Sequence, residues 1–169
     1  MRYAILALLT SISLLPIGCA DQGIASTTES ATAVVDGKKF LLPVEPAGAL
    51  NVLDLKQSAK DGESVVVVGD VLIGPQSWVN GRAAFRLTDS KVAAEVGVCT
   101  DEHCEACALE TLNASAMVKI VDAGGKPLSV DSRQLLGLKG AETVVVRGLA
   151  NRTADGSVSI VADGIYIRR

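Results

Sequence analysis

Hydrophobic and polar positions divide the chain into three stretches of different character. An apolar run from Ala4 to Leu15 comes first, residues 20–33 show no apolar periodicity, and alternating or β-branched segments begin at Val34. Alternation with a period of two is typical of half-buried strands. The pattern therefore predicts a leader, a polar connector and an all-β domain.

The strand signals are concentrated in the C-terminal two thirds of the chain. Six segments carry them: 64–73, 82–88, 91–98, 117–121, 143–149 and 157–168. The first is a β-branched run interrupted by Gly69, as is common where a strand bends around a small barrel. The last two form a terminal hairpin. Five or six short strands of this kind predict a small barrel over 63–169.

An N-terminal extension, residues 34–62, precedes the predicted barrel. Residues 34–42 suggest a short extended segment around an Asp-Gly turn. The stretch from Gly48 to Asp61 places leucines at loosely helical spacing and stops at Gly62, which predicts one short helix.

Residues 64–89 resemble the first two strands of an OB-fold. The resemblance is carried by β-branched residues leading to a glycine, a loop, then Gly81-Arg82-x-x-Phe85 and a closing Asp89. It implies a five- to six-stranded OB-like barrel, with one short helix before it and one at a cysteine-rich insertion. OB-like barrels serve many functions, so this resemblance implies no activity.

A longer part of the chain, from about Asp36 to Arg169, is similar to a group of secreted or lipid-anchored bacterial OB-like proteins with a cysteine-rich insertion after the third strand. The residues that carry the similarity are Glu45–Ala49, Lys60–Glu63, Gly81–Phe85, Cys99, Cys104 and Cys107. Members of that group tend to hold four cysteines around a Trp-containing loop, whereas this chain has three cysteines and a histidine there. The group implies fold and export.

The leader predicts export. Arg2 precedes an apolar run of about a dozen residues, which is too short to remain as a membrane-spanning helix. The sequence Pro16-Ile17-Gly18-Cys19 that follows resembles a lipobox, although Pro16 stands where Leu is usual. We therefore predict a signal peptide at 1–18, lipidation of Cys19, a flexible tether at 19–33, and a periplasmic or outer-membrane (cell-envelope) lipoprotein. The alternative is ordinary signal-peptidase cleavage after Ala20.

Charge and composition argue against a nucleic-acid partner. The chain has 16 basic and 19 acidic residues, and removal of the leader takes Arg2 away. Aromatic residues make up 3% of the sequence. Nucleic-acid binding depends on Lys and Arg at phosphates and on aromatic platforms for bases. The predicted partners are the membrane, through the lipid anchor, and an unidentified protein or small ligand.

The most unusual local feature is a Cys/His cluster. Cys99, His103, Cys104 and Cys107 comprise every cysteine after Cys19 and the only histidine, within nine residues. If Asp101 caps a helix running to about Leu112, the last three share one face of it.

Three interpretations of the cluster remain open. A disulfide from Cys99 to Cys104 or Cys107 suits an oxidising compartment, and it is the interpretation we favour. Three sulfurs and an imidazole also suit Zn²⁺ or Cu(I). A Cys104-x-x-Cys107 redox couple is disfavoured, because the surrounding carboxylates raise a thiol pKa.

No pattern identifies a catalytic residue or a required cofactor. Trp78, in the loop after the first strand, is more consistent with a packed anchor than with a ligand platform. The sequence therefore predicts an exported, lipid-anchored binding or assembly module with a structural cysteine loop. The alternatives are a periplasmic metal-binding protein and a thiol–disulfide exchange protein.

Overall fold

The β domain is a closed barrel of five strands with one further strand outside it. The computed structural model describes residues 35–96 and 104–169. Within them the strands are β1 (Leu50–Asn51), β2 (Ser64–Val71), β3 (Ala84–Thr88), β4 (Ser115–Lys119), β5 (Glu142–Arg152) and β6 (Val158–Ile167). The helices are α1 (Val52–Ser58), α2 (Ser90–Val96), α3 (Glu105–Asn113) and α4 (Ser132–Leu136), with 3-10 helices at Gly37–Phe40 and Pro75–Ser77.

The order of the strands around the barrel is that of an OB-like fold. Strand β2 pairs with β3, β3 with β4, β4 with β6, β6 with β5, and β5 with β2, which closes the ring. The pairing of β4 with β6 is parallel, and the other pairings in the ring are antiparallel. A five-stranded Greek-key barrel with a helix between the third and fourth ring strands, here α4, confirms the predicted fold class.

Alternation along each strand fills the barrel with apolar side chains. In β2 the residues from Ser64 to Val71 alternate between more and less exposed positions, so that Val65, Val67 and Val71 face inward. Phe85 and Leu87 of β3 are fully buried among them. The same period of two that predicted the strands therefore also builds the core.

Strand β1 lies outside the ring, next to the shortest pairing of the barrel wall. Strands β2 and β3 pair only at Asp70 and Thr88, and β1 instead runs parallel to β2 over Val67 and Val68. Gly69 lies at this change of partner, where a Cβ atom would stand 2.6 Å from the main-chain oxygen of Thr88. A side chain at position 69 would therefore collide with β3, which explains why this strand carries a glycine there.

Part of the N-terminal extension belongs to the core. Val52 and Leu55 of α1 are fully buried in the cluster that the barrel side chains form. The helix predicted within 48–61 is thus present as α1. The segment predicted to be extended around Asp36-Gly37 is instead a 3-10 helix, with Asp36 accepting the Lys38 N–H at its start.

One sequence prediction about the segment between β3 and β4 was wrong. Residues 91–98 were expected to form a strand, but Ser90–Val96 is helix α2. The helix expected in the cysteine-rich insertion, running to about Leu112, is present as α3. Val92, Ala93 and Val96 lie at helical spacing, and Asp89 before them accepts the Lys91 N–H, so a capped helix forms there.

Candidate functional site

The insertion, residues 89–114, is joined to the barrel at Asp89. This carboxylate is 1% exposed. One oxygen accepts the N–H of Lys91 at 3.1 Å, and the other accepts the N–H of Leu53 at 3.2 Å. Asp89 therefore caps α2 and also binds the first turn of α1, so one buried side chain links both helices to the end of β3.

Helix α3 packs beside α2 but buries none of its residues. At the start, the Cys104 Sγ accepts the N–H of Cys107 at 3.3 Å. At the other end, the Lys56 ammonium on α1 donates to the main-chain oxygens of Asn113 and Ser115. A cation there also complements the helix dipole.

A cleft of about 260 Å³ lies between α3 and the loop that follows β2. Its lining includes Ile73, Arg86, Val96, Cys104, Cys107 and Leu112. Ile73 is 79% exposed and Leu112 is 47% exposed. Large apolar side chains with this much exposure, facing one cavity, mark a binding surface more often than a packing defect.

Arg86 supplies the charge in this cleft. It stands on the outward face of β3, between the buried Phe85 and Leu87. Its Nε donates to the main-chain oxygen of Gln76 at 3.3 Å, and this is its one side-chain hydrogen bond within the described residues. Burial lowers the pKa of the nearby Lys56 ammonium, and the Arg86 guanidinium lowers it further. The two cations therefore lie close enough to repel each other.

A second and larger hollow, of about 530 Å³, lies between α2 and the end of β2. Leu72, Ile73 and Val96 line both spaces, so the two hollows adjoin.

Trp78 packs against the barrel, as predicted for a loop anchor. Its ring is half-buried against the core, with its centroid 6.5 Å from that of Phe85. The Arg133 guanidinium lies 5.4 Å from the same ring and is itself bound to Asp131. The indole is covered on these sides, so it does not form an open stacking platform.

The structure describes two of the residues predicted to carry chemistry. Cys104 and Cys107 lie at the first turn of α3 and line the cleft. Cys19, Cys99 and His103 lie outside the described residues, as does Asp101, the expected helix cap. Among described positions, Cys104 is the N-cap of α3 instead. No group of three or more His, Cys, Asp or Glu side chains within 35–96 and 104–169 could hold a metal ion.

Sequence reasoning missed Ile73, Arg86 and Leu112. Arg86 was recognisable as an outward position in the alternating segment 82–88. Nothing in the sequence shows that a helix more than fifteen residues later lies across that position.

Comparisons with known proteins bear on the fold alone. No protein-family model and no curated protein matches the chain. Among solved structures it is similar to one described as OBody AM1L10 bound to hen egg-white lysozyme, at 17% identity, with 75% of this chain and 96% of that chain covered and a TM-score of 0.43. The assignment to the OB-like class rests on the strand order given above. No helix of the described residues is long and apolar enough to cross a membrane.

Proposed function

We propose that this chain is an exported, lipid-anchored binding module of the cell envelope, which holds a small ligand in the cleft between α3 and the loop after β2. Lipidation at Cys19 would attach it to the membrane, and residues 19–33 would act as the tether. The cysteines of the insertion serve to fix one wall of the cleft.

The observation that carries this proposal is the pairing of exposed apolar side chains across the cleft. Ile73 projects from the loop after β2, and Leu112 projects from α3. Both would lose contact with water if a ligand occupied the space between them, and burial of apolar surface is the main source of small-molecule affinity.

A structural role for the cysteines agrees with the weak packing of α3. A helix of nine residues with no buried side chain has little to hold it against a barrel, since most helical stability in proteins comes from packing. A disulfide from Cys99 to Cys104 or Cys107 would fix its start. We expect native protein to contain one disulfide per molecule and negligible metal, by non-reducing mass analysis and elemental analysis.

Binding in the cleft can be tested with a neutral apolar dye, N-phenyl-1-naphthylamine. The protein would be the full chain with Cys19→Ser, which removes the predicted lipid acceptor and the need for detergent. We expect saturable fluorescence enhancement that Leu112→Asp abolishes. Leu149→Asp is the matched control, because Leu149 is 49% exposed but lies on β5. Equal loss of enhancement in both variants, or none in either, would contradict the proposal.

The anchor is tested separately by metabolic labelling with a clickable palmitate analogue. We expect label on the native chain and none on the Cys19→Ser variant. Labelling that survives the substitution would remove Cys19 as the lipid acceptor. A mature N-terminus at Asp21 on an unlabelled chain would instead show cleavage after Ala20.

A second candidate function is metal binding by Cys99, His103, Cys104 and Cys107. The hydrogen bond from the Cys107 N–H to the Cys104 Sγ favours it, because amide donors and a helix start both stabilise a thiolate ligand. Elemental analysis of protein purified anaerobically under reducing conditions would then find stoichiometric Zn or Cu. Unchanged metal content after replacement of all four residues would exclude this candidate.

A further inference from the structure

We infer that the ligand of this cleft is a small monocarboxylate with a short apolar tail, its carboxylate bound by Arg86. This inference rests on the proposed function, and it adds the chemical class of the ligand.

The first step is the hydrogen-bonding capacity of Arg86. A guanidinium carries five N–H donors in a planar fork. Only the Nε–H is used within the described residues, on the Gln76 oxygen. The donors of the two terminal nitrogens remain, and their planar arrangement matches a carboxylate bidentately.

The second step is the charge around Arg86. No carboxylate side chain is among the described residues that line the cleft. In the whole described part of the chain there are three ion pairs, made by Arg133, Arg147 and Arg168, and none of them involves Arg86. The acidic residues of α3, Glu105 and Glu110, are exposed and do not line the cleft. The Lys56 ammonium lies near enough to Arg86 to repel it, although Lys56 does not itself line the cleft. Among the described residues, therefore, no carboxylate of the cleft lining neutralises Arg86.

The third step is the apolar part of the cleft. Ile73, Val96 and Leu112 line it, beside the polar Gln76, Ser77 and Thr111. An apolar portion of the ligand would cover the three apolar side chains without leaving a buried polar group unpaired. A volume of about 260 Å³ is below the usual range for drug-sized ligands, and it suits a short tail. An inorganic anion would leave these side chains exposed, and an uncharged hydrocarbon would leave the Arg86 donors without a partner.

The test compares three probes that share one tail: hexanoate, hexan-1-ol and hexylamine. Calorimetric titration of the full chain with Cys19→Ser should show hexanoate binding about tenfold or more tighter than hexanol, and hexylamine not binding. Arg86→Gln should weaken hexanoate by a similar factor and leave hexanol unchanged. Arg147→Gln is the control, because Arg147 is an exposed arginine paired with Asp163 on the strands β5 and β6.

The outcomes separate this inference from the proposed function. Equal affinity for hexanoate and hexanol, both abolished by Leu112→Asp, would overturn the carboxylate inference and keep the cleft as a binding site. No binding of any probe, together with no dye signal, would overturn both. Equal urea midpoints for Arg86→Gln and Arg147→Gln would show that a lost affinity is not lost folding.

Discussion

The barrel and the insertion differ in how they are stabilised. In the barrel, alternating residues from five strands meet in one core, and Phe85, Leu87 and Val118 are fully buried. In the insertion, α2 buries only Val92 and Ala93, and α3 buries nothing. The barrel is specified by distributed apolar packing, whereas the insertion buries few side chains and is linked to the barrel by hydrogen bonds at Asp89 and Lys56. A wall held at few points can yield to a ligand more readily than a packed core.

The largest expected difference between the two regions is the cost of truncating an apolar side chain. Phe85→Ala should lower the free energy of unfolding by about 3 to 5 kcal/mol, because it leaves a cavity in the core. Leu109→Ala on α3 should change it by less than about 0.5 kcal/mol, because Leu109 is 60% exposed. Urea unfolding followed by circular dichroism measures both. Similar losses for the two variants would show that α3 is packed after all.

The next effect should come from Asp89, which links the two regions. Asp89→Ala removes the acceptor of two main-chain N–H groups in a buried position, so we expect a loss of about 2 kcal/mol. Asp36→Ala is the control, since Asp36 caps a 3-10 helix at an exposed site. If Asp89→Ala cost no more than the control, the junction would not depend on this carboxylate.

Low pH should lower the free energy of unfolding of the barrel, because it protonates the Asp131 carboxylate. This carboxylate caps α4 and binds Arg133 at 2.7 Å, and the side-chain hydrogen bond from Arg133 holds its pKa well below the ordinary value of 3.8. Since the folded pKa is depressed, the stabilisation is complete above about pH 5 and is lost as the pH falls below 3.8 toward the folded pKa.

We expect Asp131→Asn to cost about 1 kcal/mol at neutral pH and much less at about pH 2. Urea midpoints of the two proteins at each pH give the comparison. A gap between the two midpoints that stays constant with pH would show that the charge of Asp131 is not responsible.

Of the two links between the insertion and the barrel, Lys56 should contribute less to overall stability than Asp89, as Lys56→Met would show. The substitution removes the donor to the oxygens of Asn113, the last residue of α3, and Ser115, the first residue of β4, and we expect a loss below about 1 kcal/mol. Its effect should be local: the substitution should speed amide hydrogen exchange more in α3 than in β4. Lys60→Met, at an exposed position, serves as the control. Equal exchange in the two variants would remove Lys56 as an attachment of the insertion.

The contrast between the regions also explains what could be predicted from the sequence. The strands 64–71 and 84–88 and the terminal hairpin were recognisable, because alternation and β-branched residues record burial on one face. Helix α2 was missed because the spacing of its apolar residues, Val92, Ala93 and Val96, fits a short helix and a short buried strand almost equally well. Helix α4 was missed because five residues are too few to show a helical periodicity, although Asp131 and Gly137 mark its two caps.

The candidate site was less predictable than the fold. The cysteines could be found because they cluster along the chain. Ile73, Arg86 and Leu112 come from separate elements, and only the position of the insertion across β3 brings them to one cleft. Such a juxtaposition leaves no periodic signal in the sequence.

The central claim, that a cysteine-fastened insertion forms one wall of a binding cleft on a self-sufficient barrel, is tested most directly by hydrogen–deuterium exchange of the native protein with and without a reductant. Reduction should speed exchange in α3 by about tenfold or more and leave β2, β3 and β5 unchanged. Exchange in α3 that is indifferent to the reductant would contradict the account.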